Sequence, residues 1–202
     1  MEEYSPVRYT VEERRYLLMM KWIKRLCSLI LLCLLIAGGI LLFQGYREYR
    51  EALSGKSVEE MARQIESIDN YTSLDELPQT YIDAVLAVED KRFYEHPGID
   101  PIAIGRALLN DIRAGEYVEG GSTITQQLAK NQYFTQEKRL VRKVAEMFMA
   151  FKIEAELDKD KILELYVNSI YFGNGYQCVG DACRAYFGKE PSEMTFDECT
   201  LL

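Results

Sequence analysis

The sequence predicts a mainly α-helical protein with a single transmembrane helix near its N-terminus. Three observations carry this. Cys27 to Phe43 contains no charged residue, and Leu, Ile, Cys, Ala and Gly make up nearly all of that run. Beyond Leu77, apolar residues recur at helical spacing in one segment after another. No pair of alternating runs joined by a tight turn signals a β-hairpin.

Taken as a helix from Leu26 to Tyr46, the apolar run rises about 31 Å, close to a hydrocarbon core of roughly 30 Å. A cleaved signal peptide and a buried core helix are the alternatives. The small-residue triplet Ala37-Gly38-Gly39 lies inside the run rather than after it, which argues against cleavage. Arg14, Arg15, Lys21, Lys24 and Arg25 crowd the N-terminal flank, whereas only Arg47 and Arg50 lie close on the other. That bias predicts a cytoplasmic N-terminus and an exported C-terminal portion. Trp22 and Tyr46 fall where interfacial aromatics are expected. The chain therefore divides into a cytoplasmic tail (1–21), a transmembrane anchor (22–46), a polar stalk (47–74) and a helical domain (75–202).

Within the stalk, Ser54-Gly55-Lys56-Ser57 reads as a break, with Ser57 capping a new helix through Glu60. Pro78–Val88 is predicted helical, with Ile82, Val85, Leu86 and Val88 facing inward. Ile102–Arg113 is opened by Asp100 as cap and Pro101 in the first turn. Further helices are expected over Thr123–Asn131, Lys138–Leu157, Asp160–Asn168 and Val179–Tyr186, with a turn at Gly173-Asn174-Gly175.

Of 24 basic and 32 acidic residues, 8 and 5 lie in 1–50, which leaves 16 against 27 beyond and a net charge of −11 there. Such a portion is a poor nucleic-acid binder, so any anion site must be local. Cys27 and Cys33 belong to the apolar run. Cys178, Cys183 and Cys199 are an odd set without zinc-like spacing, read either as a Cys178–Cys183 disulfide plus a thiol or as free buried thiols. His96 is the only histidine and no nucleophile-elbow motif occurs, so no Ser–His–Asp or Cys–His arrangement is read.

Four segments carry the chemistry. Glu89-Asp90-Lys91-Arg92-Phe93-Tyr94-Glu95-His96-Pro97-Gly98-Ile99-Asp100 puts two adjacent acids at a helix C-terminus, where the dipole disfavours a carboxylate and suits a general base. A solvated charged surface run is the plainer reading. Gly120-Gly121-Ser122-Thr123-Ile124-Thr125-Gln126-Gln127-Leu128-Ala129-Lys130-Asn131 joins two glycines, small hydroxyls, a helix start and a lysine, a pattern suited to a phosphate-bearing polar ligand. Arg142-Lys143-Val144-Ala145-Glu146 sets two cations three and four residues from an acid; alone it reads as a helix-stabilising ion pair. In Lys161–Gly173, Ile162, Leu165, Tyr166 and Ile170 are spaced as core, with Asn168 as a buried amide.

Together these segments resemble the family 51 glycosyltransferases, the transglycosylase domains of bifunctional penicillin-binding proteins and their monofunctional relatives. The residues carrying the resemblance are Glu89, Asp90, Phe93, His96, Gly98 and Asp100; the whole of Gly120–Asn131; Arg142, Lys143 and Glu146; and Tyr166, Asn168, Tyr171, Phe172 and Gly173. A fifth signature falls at Ala182, Tyr186, Phe187, Gly188 and Lys189. The resemblance covers roughly 75–202.

It implies a lysozyme-like helical head with a small membrane-proximal jaw subdomain and a groove between them. It implies polymerisation of lipid II into β-1,4 glycan strands: the growing chain on undecaprenyl pyrophosphate is the donor and lipid II the acceptor. Glu89 would take the proton from the acceptor 4-hydroxyl in an inverting displacement, and Lys130, Arg142 and Lys143 would receive the leaving pyrophosphate. Glu146 joins Glu89 in the catalytic set by organising those cations. Asp90, Arg92, Phe93, His96, Ser122, Thr123, Thr125, Gln126, Gln127 and Asn131 complete the implied substrate-binding set. No cofactor is required, and a divalent metal (Mg2+ or Mn2+) at the pyrophosphate is compatible with the set. The implied partners are the lipid-linked substrates, the membrane, and proteins of wall synthesis or division. By the same resemblance the domain is expected to continue past Leu202, so its C-terminus reads as truncated. A wall hydrolase on the same scaffold would have no need of the Lys130, Arg142 and Lys143 cations; a non-catalytic lipid II-binding scaffold is the third alternative.

Overall fold

The structure is a computed structural model and describes residues 10–116, 120–135, 137 and 139–202. Helix α1 spans Val11–Gly55. Its apolar side chains from Leu18 to Phe43 face outward, with Trp22 67% and Leu34 65% exposed. No residue of its most apolar stretch is buried, so the core-helix alternative falls; the helix is long and apolar enough to cross a membrane. Residues 1–9 of the expected tail lie outside the described residues.

Residues from Gln44 onward form a compact unit of their own. The last turns of α1 belong to it. Tyr46, expected at an interface with lipid, packs edge-on against Phe148 at 5.5 Å between ring centres. Gly45 lies so close to α6 (Leu140–Glu156) that a Cβ there would stand 2.5 Å from Val144 Cγ1. The break at 54–57 is as expected: α2 (Val58–Glu66) starts after Ser57, whose hydroxyl accepts the Glu60 N–H at 3.1 Å. The segment expected as a stalk nevertheless supplies Val58, Met61, Ala62 and Ile65 to the core.

The remaining helices are α3 (Gln79–Glu89), α4 (Pro101–Ala114), α5 (Ile124–Tyr133), α7 (Lys159–Val167), α8 (Val179–Phe187) and α9 (Phe196–Leu201). The expected helix start at Lys138 lies outside the described residues. Among those residues there is no β-strand, only an antiparallel bridge between Gly173 and Tyr176 across the expected turn. The architecture centres on α5, which packs on α6 and α7. Ile124 and Leu128 of α5, Met149 and Ile153 of α6, and Ile162, Leu163 and Leu165 of α7 are fully buried. Each such side chain contributes roughly 1.5–3 kcal/mol relative to exposure.

Helix α3 packs on α9. Its inward anchor is Tyr81, 1% exposed, whereas Val88, expected inside, is 81% exposed. Ile82, Val85 and Leu86 are half-buried against the core. Helix α4 starts as expected: Asp100 accepts from the Ile102 and Ala103 N–H groups, and Pro101 fills the first turn. It buries only Ala107 and leaves Ile102, Leu108, Leu109 and Ile112 more than half exposed.

Candidate active site

The end of α3 separates its two acids. Glu89 is the last helical residue; Asp90 leaves the helix at φ −160° and ψ 78°, which turns its side chain inward. Glu89 is therefore exposed, while Asp90 is 7% exposed.

Asp90 holds the first and second motifs together. Its carboxylate accepts the Ile124 N–H at 3.1 Å, setting a negative charge at the α5 N-terminus, and faces His96 Nε2 at 3.0 Å. His96 Nδ1 accepts the Gly98 N–H at 3.2 Å, which assigns the ring proton to Nε2, donating to Asp90. Gly98 has φ +95°, open to glycine without strain, and a Cβ there would also meet the Ala150 backbone at 3.2 Å. Its carbonyl accepts from the Thr123 hydroxyl at 2.7 Å. Thr123 in turn caps α5 through Gln126 N–H, and Gln126 Oε1 accepts the Thr123 N–H at 3.1 Å.

In front of this layer lies a cleft of about 690 Å³, lined by Glu89, Lys91, Arg92, Arg106, Gly120 to Thr123, Gln127 and Lys130, among others. A second hollow of about 630 Å³ adjoins Glu89, Gln127 and Lys130 on another side and is walled by Asn131, Tyr166, Ile170, Tyr171 and Phe172. Glu89 and Lys130 thus border both. Gln127 Nε2 donates to Glu89 Oε2 at 2.8 Å, and the Tyr166 hydroxyl donates to Gln127 Oε1 at 3.3 Å. Arg92 grips both Asp100 oxygens through one edge of its guanidinium, Nε to Oδ2 at 2.9 Å and Nη2 to Oδ1. The Arg92 guanidinium, with the Ala103 and Ile102 amides, brings the Asp100 carboxyl down to about 2.

The sequence-derived site residues fall into two groups. Glu89, Asp90, Arg92, Ser122, Thr123, Gln127, Lys130 and Asn131 line the cleft or the adjoining hollow. Phe93, His96, Thr125, Gln126, Arg142 and Glu146, expected to touch substrate or to act chemically, stand behind its wall. Phe93 is 1% exposed and carries Lys159 Nζ over its ring at 4.3 Å; Thr125 is fully buried, with its hydroxyl donating to Glu154 at 2.5 Å. Gln126 Nε2 is buried without a hydrogen-bond partner among the described residues.

Glu146 is 1% exposed and lies between Arg142 Nε at 2.9 Å and Lys143 Nζ at 3.2 Å. Arg142 also donates to the Thr135 carbonyl at 2.7 Å and is not among the described residues that line the cleft. Of the three expected cations, Lys130 borders the cleft, and Lys143 reaches its edge by donating to Ser122 at 2.6 Å. A divalent metal at the pyrophosphate would have no free Glu146 oxygen to meet, since both lie against cations. Among the described residues no group of three or more His, Cys, Asp or Glu side chains is arranged to hold a metal ion. These side chains do not fit a protein-held metal.

Sequence reasoning missed Lys91 and Arg106 in the cleft wall. Arg106 carried one signal, being the single base amid the apolar residues of Ile102–Leu109. Cys178, Cys183 and Cys199 are free and buried.

A family model described as Transglycosylase matches residues 54–202. The chain is 52% identical over 132 residues to penicillin-binding protein 1A of Aquifex aeolicus (strain VF5), covering 65% of this chain and 18% of that protein. It is 49% identical over 130 residues to penicillin-binding protein 1F of Bacillus subtilis (strain 168), covering 64% and 18%. Against penicillin-binding protein 1A of Haemophilus influenzae the identity is 41% over 182 residues, covering 87% and 21%. The chain thus spans about a fifth of the length of these curated relatives.

Proposed function

The chain belongs to the transglycosylase family, and from that premise we propose that it is a peptidoglycan glycosyltransferase. It polymerises lipid II into β-1,4 glycan strands with release of undecaprenyl pyrophosphate. The observation that carries this reading is Glu89 on the rim shared by the two hollows, with Lys130 bordering both. A carboxylate between two sugar-sized spaces suits a general base that removes the acceptor 4-hydroxyl proton. That oxygen forms a bond to the donor anomeric carbon from the face opposite the departing pyrophosphate, and inversion follows. Lys130, with Lys91 and Arg106 in the wall and Lys143 at the edge, supplies positive charge where negative charge grows. Glu146 acts indirectly, by holding Lys143 and Arg142 in place. No step needs a metal; a divalent ion carried in by the pyrophosphate remains compatible.

The exposed apolar stretch of α1 supports a single-pass anchor in the bacterial plasma membrane, and the basic flank supports a cytoplasmic N-terminus. Wall-synthesis or division proteins are the protein partners this reading expects.

The test is incubation of the full chain in detergent with labelled lipid II. Polymer is expected from the wild type, and lipid binding without polymer from Glu89→Gln. Full turnover by Glu89→Gln overturns the base assignment; fragmentation of added finished glycan in place of synthesis overturns the polymerase.

A further inference from the structure

Tyr166 is the member of the fourth motif that nothing so far accounts for. Its neighbour Asn168 is a framework amide, accepting the Thr72 N–H at 2.9 Å and donating to the Thr72 and Glu164 carbonyls at 2.7 and 2.8 Å. Tyr166 is 2% exposed, yet its hydroxyl reaches the wall beside Glu89 and, among the described residues, bonds no backbone group. It bonds Gln127, which bonds Glu89.

We propose that Tyr166 is a positioning residue that sets the orientation of the Gln127 amide and through it selects which oxygen of Glu89 serves as the base. This rests on the assignment of Glu89 as general base.

A primary amide has a donor end and an acceptor end, and nothing in its shape distinguishes them. Burial, followed by the charges of Glu89 and Asp90, pushes the Tyr166 phenol up, so it remains a donor throughout the working range. A fixed O–H donor can only face Gln127 Oε1. The Gln127 N–H group is thereby directed at Glu89, where it occupies Oε2 at 2.8 Å. Oε1 is left for the acceptor hydroxyl. With the amide reversed, Gln127 Oε1 would face the carboxylate, two acceptors without a proton between them.

The charges around Glu89 are Asp90 beside it, Lys91 and Arg92 following it, Lys130 on α5 and Arg106 on α4, with the titratable Tyr171 in the adjoining hollow. None of these is removed by Tyr166→Phe, which deletes a single oxygen.

The test is a double-mutant cycle on the full chain with labelled lipid II: wild type, Tyr166→Phe, Gln127→Ala and the pair. Tyr166→Phe is expected to lower kcat about fivefold to tenfold and leave KM within twofold. In the Gln127→Ala background the same change should have no further effect on kcat. An equal loss in both backgrounds means that Tyr166 acts by packing alone, and the proposal is overturned. So does full kcat in Tyr166→Phe where Glu89→Gln is inactive, which leaves the base assignment standing. A wild type that makes no polymer removes both. Thermal melting of each variant guards against a folding defect, and Tyr166→Trp, which retains bulk and a donor at another distance, should not restore kcat.

Discussion

The rim of the cleft and the polar layer behind it come from the same short stretches of chain but obey different physics. On the rim, Glu89, Gln127 and Lys130 keep contact with solvent, and Glu89 and Gln127 share one hydrogen bond. In and behind its wall, Asp90, His96, Thr123, Gln126, Arg142 and Glu146 are at most 9% exposed and bond or ion-pair to protein, with Gln126 Nε2 left without a hydrogen-bond partner among the described residues. Neighbours in sequence stand on opposite sides of the divide: Glu89 and Asp90, Gln126 and Gln127. Polar groups available to a ligand keep a solvated side, whereas a buried polar group must find its partners within the protein. Residues of one motif therefore divide into those that meet the substrate and those that hold the first set still.

Substitutions can break that division. The largest effect is expected on the rim, where Glu89→Gln should reduce polymerisation by about 10²–10⁴-fold, the usual contribution of a positioned base, with an unchanged melting temperature. A melting point lowered by several degrees would show that Glu89 belongs to the framework instead. Next is Glu146→Ala, which leaves Arg142 buried without its carboxylate. Breaking such a pair costs about 3–5 kcal/mol, readable by urea unfolding, and activity should fall only as the fold weakens and Lys143 loses its anchor. Asp90→Ala strands the Ile124 N–H and the His96 Nε2–H and is expected to cost about 2–4 kcal/mol. Calorimetry that finds Asp90→Ala as stable as the parent would remove Asp90 from the buried layer.

The smallest effect concerns acid. Asp100 is lowered in the folded state to about 2 by Arg92 and two amides. A carboxyl depressed on folding lends stability above its unfolded value near 4, and that stability is lost as pH falls through about 2. Because Arg92 is 31% exposed, the contribution is on the order of 1 kcal/mol. Arg92→Gln should flatten the loss of stability between about pH 4 and 2 in acid titrations followed by circular dichroism.

Much of the fold was legible because its signals are local. The caps at Ser57, Asp100 and Thr123 and the helical spacing along α6 and α7 are set within a few residues, and α3 to α8 lie within a few positions of expectation, whereas α1 runs well beyond the expected span at both ends. Inward faces were less legible. In α3, Val88 fits an apolar stripe as well as Ile82 does, but α9 covers the side bearing Tyr81 and leaves Val88 bare. The stretch 47–74 looked like a stalk because it carries as many charged as apolar residues, ten of each; Val58, Met61, Ala62 and Ile65 lie on one face, and only the presence of α6 and α7 makes that face interior.

For the site, the motifs in the sequence determined which side chains gather and that a carboxylate, an amide and a lysine are among them. They also determined the apolar run of α1, since length and lack of charge are properties of the chain itself. The tertiary structure decided that Asp90 points inward while Glu89 points out, because the helix ends between them. It decided that Arg142 turns to Thr135 while Lys143 turns to Ser122, and that a tyrosine spaced like core reaches the rim through Gln127. Adjacent residues share a sequence context but not a direction, and direction depends on which distant segment packs against each one.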